Sequence, residues 1–377
     1  MRRNKADGSP ASGVDGMPAG GENASTGRSA SAKPGRVTSY EVAKAAGVSQ
    51  SAVSRTFSRN GYVSPATRKR VLAAAGRLGF SPNALARSLI TRRSRLIGVV
   101  IAELRYSFHV TLLHQLCAAV RDAGFQTLLV SVPDSANLDA SVQSVIDYQV
   151  DGVIIASVRL SSRSSQLCER ANIPLVLINR HVADRGFHAI GADNEEAGRL
   201  AARRLLSADH RRFAFIAGIP DTSTSIDRER GFLETVLASG LPNPAVRTGH
   251  FTYDGGHSAA LDLMADRDRP DAIFCASDIM AIGAMDAIRR DLGLRVPDDV
   301  SVIGFNDADV ASWKSYALTT FAVDVGMMCR RAVDLLAGLV DDPDQQPLQE
   351  TVSVSLVERQ SVRPPVTPEP DEPVDPA

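Results

Sequence analysis

Gln50, Ser51 and Arg55 fall within six residues of one another, and each carries a group that can hydrogen-bond a base edge. A primary amide pairs bidentately with adenine, a guanidinium with guanine, and a hydroxyl with either. The same three residues would equally suit a solvated helix surface, so residue type alone leaves both readings open. Charge separates them. Residues 36–95 hold twelve cations and one acid, Glu41, for about +11, which leaves about −12 on the rest of a chain whose net charge is −1. A solvated surface normally mixes signs, whereas a basic module on an acidic body suits a polyanion such as nucleic acid.

Positioning those groups requires short, well-capped helices. Thr38 followed by Glu41 has the S/T-x-x-E spacing of a capping box. Val42, Ala43 and Ala46 then mark one apolar face, and Gly47 permits a turn. Ser49 is a good N-cap for a second helix that turns Val53 and Phe57 inward at i, i+4. A third starts at Ser64-Pro65, buries Val71, Leu72, Ala75 and Leu78, and stops at Gly79. Three short helices with a tight first turn make a helix-turn-helix. The next run, SPNALARSLI from residue 81, repeats the Ser-Pro start and places Leu85 and Leu89 on one side. It is too short to be a stable free helix and reads as a linker that orders on docking.

Other chemistry finds little support. The chain has no G-x-G-x-x-G, P-loop, G-x-S-x-G or H-E-x-x-H motif, and its seven histidines show no ligand spacing, so an enzyme, a metal site and a cofactor are not expected. Cys117, Cys168, Cys275 and Cys329 are dispersed, which fits a reducing cytoplasm rather than a disulfide framework. No apolar run approaches the length of a membrane span, and the N-terminus lacks the apolar core of a secretory signal.

From residue 96 the texture changes. LIGVVI, TLLVSV, GVIIAS and PLVLIN are continuous apolar runs, the pattern of buried parallel strands, with helical stretches between them. RRFAFIAG, AIFCAS and SVIGF repeat the rhythm. Two runs of βα units predict two doubly wound α/β lobes, with a ligand at the carboxyl ends of the strands. The expected organisation is a disordered extension over 1–35, a helix-turn-helix over 36–81, a hinge over 82–95, a two-lobed α/β core over 96–363 and a disordered tail over 364–377.

VTSYEVAKAAGVSQSAVSR, then SPNALARSL, LIGVV and the later GFND and LTT segments resemble, in that order, the lactose-repressor/galactose-repressor family of bacterial transcription regulators. The resemblance spans about 36–362. It implies a helix-turn-helix headpiece, a hinge helix and a core like that of periplasmic binding proteins. It makes the helix after Ser49 the recognition helix, with Gln50, Ser51 and Arg55 on base edges, while Thr38, Tyr40, Ser49 and Ser54 serve as phosphate contacts or caps. In the hinge it implies DNA contacts from Asn83, Ala86 and Leu89, with Leu89 wedged between base steps of the minor groove; Leu85 packs instead. Two hinges must meet for this, so a homodimer on a pseudo-palindromic double-stranded operator is expected, in the cytoplasm and on the nucleoid when bound.

The resemblance also maps effector positions onto Phe108, His109, Asn179, Arg228, Phe251, Ser277 and Asn306. Aromatic faces beside amide, guanidinium and hydroxyl groups suit a polar ring, a sugar or a base-like metabolite. Many members carry Asn at the place of Ser277 and Asp at that of Asn306. The departures put an ordinary hexose in doubt and leave a sugar acid, a phosphorylated sugar or another metabolite open. Asp278 is expected to cap the following helix, and Trp313 to serve packing or an interface. A periplasmic solute-binding protein would share the two-lobed core but has no use for a basic headpiece. The implied function is a transcriptional regulator, a repressor, whose operator affinity follows a small-molecule effector through the meeting of the two hinges.

Overall fold

A computed structural model describes residues 37–57, 61–81, 93–102, 104, 107–132, 137–158, 160–180 and 186–366. It separates into two units, Met1–Asn83 and Ala84–Ala377. Asn83, Ala86 and Leu89, with most of the hinge, residues 1–36 and residues 367–377, lie outside the described residues. Val366, within the stretch read as tail, donates its amide to the carbonyl of Ser207 at 2.8 Å.

In the first unit, α1 (Ser39–Ala46), α2 (Gln50–Phe57) and α3 (Pro65–Leu78) enclose a small core of Val42, Ala43, Ala46, Val53, Val71, Ala74 and Ala75. Local chemistry sets their ends. The Thr38 amide donates to Glu41 at 2.8 Å and the Glu41 amide to the Thr38 hydroxyl at 3.4 Å, closing the capping box. Gly47 ends α1 at φ 61°, a left-handed turn that costs glycine little. Ser64 caps α3 through the amide of Thr67, and Gly79 ends it. Two expectations fail: Leu72 and Leu78 are exposed, 48% and 38%, while Ala74 lies inside. Leu72 stands about 100° round α3 from Val71 and faces out, while Leu78, seven residues on from Val71 and so on its face, is the last residue of the helix, past the small core. Phe57 is half-buried against Phe80, and Thr56 is the residue fully inside the last turn of α2.

The second unit carries two parallel sheets. Its elements are β1 (Leu96–Ala102), α4 (Ser107–Asp122), β2 (Gln126–Val132), α5 (Leu138–Asp147), β3 (Gly152–Ala156), α6 (Ser162–Arg170), β4 (Leu175–Ile178) and β5 (His188–Ala192), followed by α7 (Asn194–Leu206), β6 (Phe213–Ala217), α8 (Ser223–Ala238), β7 (Ala245–Thr248), α9 (Tyr253–Ala265), β8 (Ala272–Cys275) and α10 (Asp278–Asp286), which runs into a π-helical turn at Ala287–Asp291. Then come β9 (Ser301–Ile303), β10 (Thr320–Val323), α11 (Val325–Asp341), β11 (Gln349–Val352) and β12 (Val354–Val357). The first sheet has the order β11-β5-β4-β3-β1-β2 and the second β7-β6-β8-β9, with all these pairings parallel. β10 and β12 form an antiparallel pair.

Along β1, Ile97, Val99 and Ile101 pack against α4 and α11, while Val100 joins Val142, Val145 and the opposite helical layer. Burial on both faces explains the unbroken apolar run. TLLVSV departs from that rule: it is the edge strand β2, largely half-exposed, with Leu129 at 42%. The chain passes between the sheets three times, at β5 to α7, β10 to α11 and β11 to β12, so α11 and β11 complete the first lobe from far along the sequence. In the second lobe α7 and α8 are in backbone contact. A Cβ on Gly198 would meet the Arg228 carbonyl at 2.3 Å, and one on Gly231 the Glu195 carbonyl at 2.0 Å. No helix among the described residues is long and apolar enough to cross a membrane.

Candidate nucleic-acid interface and ligand groups

In the helical unit, Thr38, Tyr40, Ser49, Gln50, Ser51, Ser54 and Arg55 are all exposed. The two ends of this set do different work. Thr38 and Ser49 act as caps, Ser49 accepting from the Ala52 amide at 3.3 Å. The groups on α2 are held by one another. Gln50 Nε2 donates to Ser39 Oγ across the α1–α2 turn at 3.0 Å. The Ser49 and Ser51 hydroxyls share a bond of 2.9 Å, and Arg55 Nε donates to the Ser51 carbonyl at 3.3 Å. Val53, on the opposite face, is 1% exposed and anchors the helix to its core. The result is one row of amide, hydroxyl and guanidinium groups with restricted rotamers, which lowers the entropy lost when they bind. Ser39 escaped the sequence reading because nothing local distinguishes a partner of Gln50 from any helix serine.

In the second unit the expected ligand groups lie around strand carboxyl ends and adjoining helices. Phe108 and His109 sit in the first turn of α4 after β1, with ring centroids 6.2 Å apart in an edge-on arrangement. Asn179, just past β4, donates Nδ2 to Ser157 Oγ, just past β3, at 3.0 Å. Both have left-handed backbones, φ 67° and 60°. Such conformations also occur at His250, Phe251, Asn306 and Asp307, at the ends of β7 and near β9. Each costs non-glycine residues about 1–3 kcal/mol, and Arg95, Gln149, Asn172, Asp209, Asp221 and Ala317 share the conformation elsewhere among the described residues.

Arg228 forms the centre of the second lobe's set. It projects from α8, is 3% exposed, and donates Nε to Asn194 Oδ1 at 2.8 Å and Nη1 to the Ala276 carbonyl at 2.5 Å. Its guanidinium lies 3.4 Å over the Phe305 ring. Burial pulls its pKa down to about 9, against the fields of Asp278 and Asp227, so it stays a cation at neutral pH. These contacts draw together Arg228, Ser277 (next to Ala276) and Asn306 (next to Phe305). Ser277 is buried and its Oγ has no hydrogen-bond partner, an unpaired group that costs stability. Phe251 stands beside a different element: its ring lies on Gly218 at the end of β6, where an added Cβ would meet it at 2.0 Å.

Asp278 does not cap α10. The N-cap position belongs to Ser277, and the Asp278 carboxylate instead accepts from the Ala308 amide at 2.7 Å and Thr320 Oγ1 at 2.5 Å. It therefore ties the 305–308 loop to the helix start. Burial raises its pKa to about 6 despite both bonds. Asn194 and Phe305 are the neighbours of Arg228 that no sequence signal singled out. Asn194 lies at the first crossing between lobes, donating Nδ2 to the Ala192 carbonyl at 3.1 Å while accepting from Arg228. Trp313 is 59% exposed. Among the described residues no group of His, Cys, Asp and Glu could hold a metal ion.

Comparison with known proteins connects the two units. A model described as "Bacterial regulatory proteins, lacI family" matches residues 38–83, and one described as "Periplasmic binding protein-like domain" matches 202–362. The HTH-type transcriptional regulator CelR of Thermobifida fusca is 32% identical over 85% of this chain and 96% of its own length. A solved CelR–cellobiose complex superimposes with a TM-score of 0.67 at 30% identity, over 86% of this chain and all of that one. The lac repressor dimer bound to operator and the anti-inducer ONPF gives a TM-score of 0.80 at 27% identity, over 87% and 100%.

Proposed function

From its membership of the lacI family of bacterial regulatory proteins, to which this chain belongs, we propose that it is a repressor that binds a pseudo-palindromic operator as a homodimer and releases or tightens it in response to a sugar or sugar derivative. The observation that carries the DNA half is the pre-bonded, exposed row Gln50–Ser51–Arg55 on a helix anchored by Val53. Arginine and glutamine on a recognition helix read guanine and adenine in the major groove, while the caps and Tyr40 position the unit on phosphates. Asn83, Ala86 and Leu89 act in the minor groove in this reading, with Leu89 as the wedge. The site of action is the cytoplasm, on the nucleoid.

The effector half rests on Arg228 and the unpaired Ser277 hydroxyl. A ligand hydroxyl or carboxylate that bonds both would relieve the buried donor and use a deeply held cation. Phe251 and Phe108 supply faces for a ring, and His109, Asn179 and Asn306 supply polar edges. Arg228 bonds Asn194 at a lobe crossing, so an effector that engages Arg228 acts on the segment that joins the lobes. The solved relatives are consistent with this reading: one is a complex with cellobiose and another a dimer on operator with a small ligand.

The test selects duplexes from genomic DNA with the full chain and titrates the best of them. Wild type should prefer it to random duplex by at least about 1000-fold. Gln50→Ala and Arg55→Ala should each lose about 1–3 kcal/mol of that preference. A sugar, sugar acid or nucleobase that raises the melting temperature should shift operator affinity in wild type. A chain that binds all duplexes alike, or whose stabilising ligand leaves operator affinity unchanged, defeats the corresponding half.

A further inference from the structure

The second lobe has another cavity, of about 250 Å³, at the opposite ends of its strands from the ligand groups. It is reached at Arg212, Asp271 and Val300, the residues that precede β6, β8 and β9. Three arginines (Arg212, Arg269, Arg363) and three aspartates (Asp271, Asp298, Asp299) line it, yet their commitments differ. Asp298 and Asp299 both pair with Arg295, Asp299 through two side-chain bonds of 2.9 Å. Asp271 Oδ1 accepts the Arg212 amide at 3.1 Å and the Arg211 amide at 3.3 Å. That oxygen is thereby held from inside the fold.

The arginines are not matched in this way. Among the described residues Arg212 and Arg269 make no ion pair. Arg363 is held rigidly, its amide donating to Ser301 Oγ at 3.1 Å and its Nη2 to His210 Nδ1 at 2.5 Å. His210 is itself buried and bonded through Nε2 to Ser301 Oγ at 2.8 Å. Yet Arg363 Nε is buried with no acceptor. A fixed donor without an acceptor, in a cavity lined by two arginines that make no ion pair, can receive an oxyanion. We propose that this cavity binds a small oxyanion, a carboxylate or a phosphate, through Arg212, Arg269 and Arg363.

Two sources can supply that chemistry: a free anion, or the carboxylates of this chain's own Glu369, Asp371 and Glu372, which follow a few residues after Val366. Calorimetry and thermal shift with inorganic phosphate, against chloride at equal ionic strength, test the site on the full chain. Arg212 and Arg269 are exposed, so the paired variant Arg212→Gln/Arg269→Gln keeps the fold and leaves the basic residues of 36–95 untouched. A free-anion site predicts phosphate binding by wild type that weakens at least about tenfold in the paired variant. Occupation by the chain itself predicts a silent wild type. Binding should then emerge in Glu369→Gln/Asp371→Asn/Glu372→Gln and vanish when the two arginines are also replaced. A phosphate response equal with and without the two arginines, or no response in any variant, overturns the proposal.

Discussion

Gln50 and Arg228 are secured by the same device, a side-chain oxygen on a preceding helix, yet the two bonds stand in opposite surroundings. Gln50 Nε2 meets Ser39 Oγ at 3.0 Å in the open. Arg228 Nε meets Asn194 Oδ1 at 2.8 Å inside the second lobe, against an aromatic face and a carbonyl. Water competes for the first bond and not for the second, so the first restricts a rotamer while the second carries part of the fold. A surface that reads DNA can change residues without unfolding the chain. A network built around a buried cation cannot.

That contrast can be broken in three places. Arg228→Met should cost the most: it leaves Asn194 and the Ala276 carbonyl unpaired and Asp278 without its counter-field, for a loss of about 3–5 kcal/mol in urea unfolding. A loss below about 1 kcal/mol would mean that the bonded network is incidental to the fold. Next comes Asp278, whose folded pKa is about 6. An unfolded aspartate titrates near 3.9, so between about pH 4 and pH 6 the folded chain holds a proton that the unfolded chain lacks. Its contribution to stability therefore falls as pH rises through that window. Relative to Asp278→Asn, wild type should gain up to roughly 3 kcal/mol as pH drops from 7 to 4. Parallel stability profiles for the two proteins would rule this out. The smallest change in stability should come from Arg55→Ala, within about 0.5 kcal/mol of wild type, although that variant loses operator preference. Unfolding by Arg55→Ala would place Arg55 in the headpiece's core energetics and blur the distinction.

Much of the headpiece was legible because its signals are local. Thr38, Glu41, Gly47, Ser49, Ser64 and Gly79 act within one turn of themselves, and all six stand where their spacing puts them. The exposure of Leu72 and Leu78 was hidden for the complementary reason: which side of α3 is inside, and how far along it the core reaches, depends on where α1 and α2 pack. The strands of both lobes were found from apolar runs, but the same signal could not tell the edge strand β2 from its buried neighbours. Individual ligand groups could be named one at a time. That Arg228, Ser277 and Asn306 gather through Ala276 and Phe305, while Phe251 stands over Gly218, was not visible in any short window.

The chain by itself therefore determined its class of elements, their caps and the basic face of its first unit, since these depend on hydrogen bonds and periodicities a few residues long. Only the tertiary structure decided what lies opposite what. The return of α11 and β11 to the first sheet, the Gly198–Gly231 approach of α7 and α8, the Asn194–Arg228 bond at a lobe crossing and the Arg363 donor without an acceptor are long-range pairings. Each is set by packing two surfaces at a fixed separation, and that separation is written in no single segment.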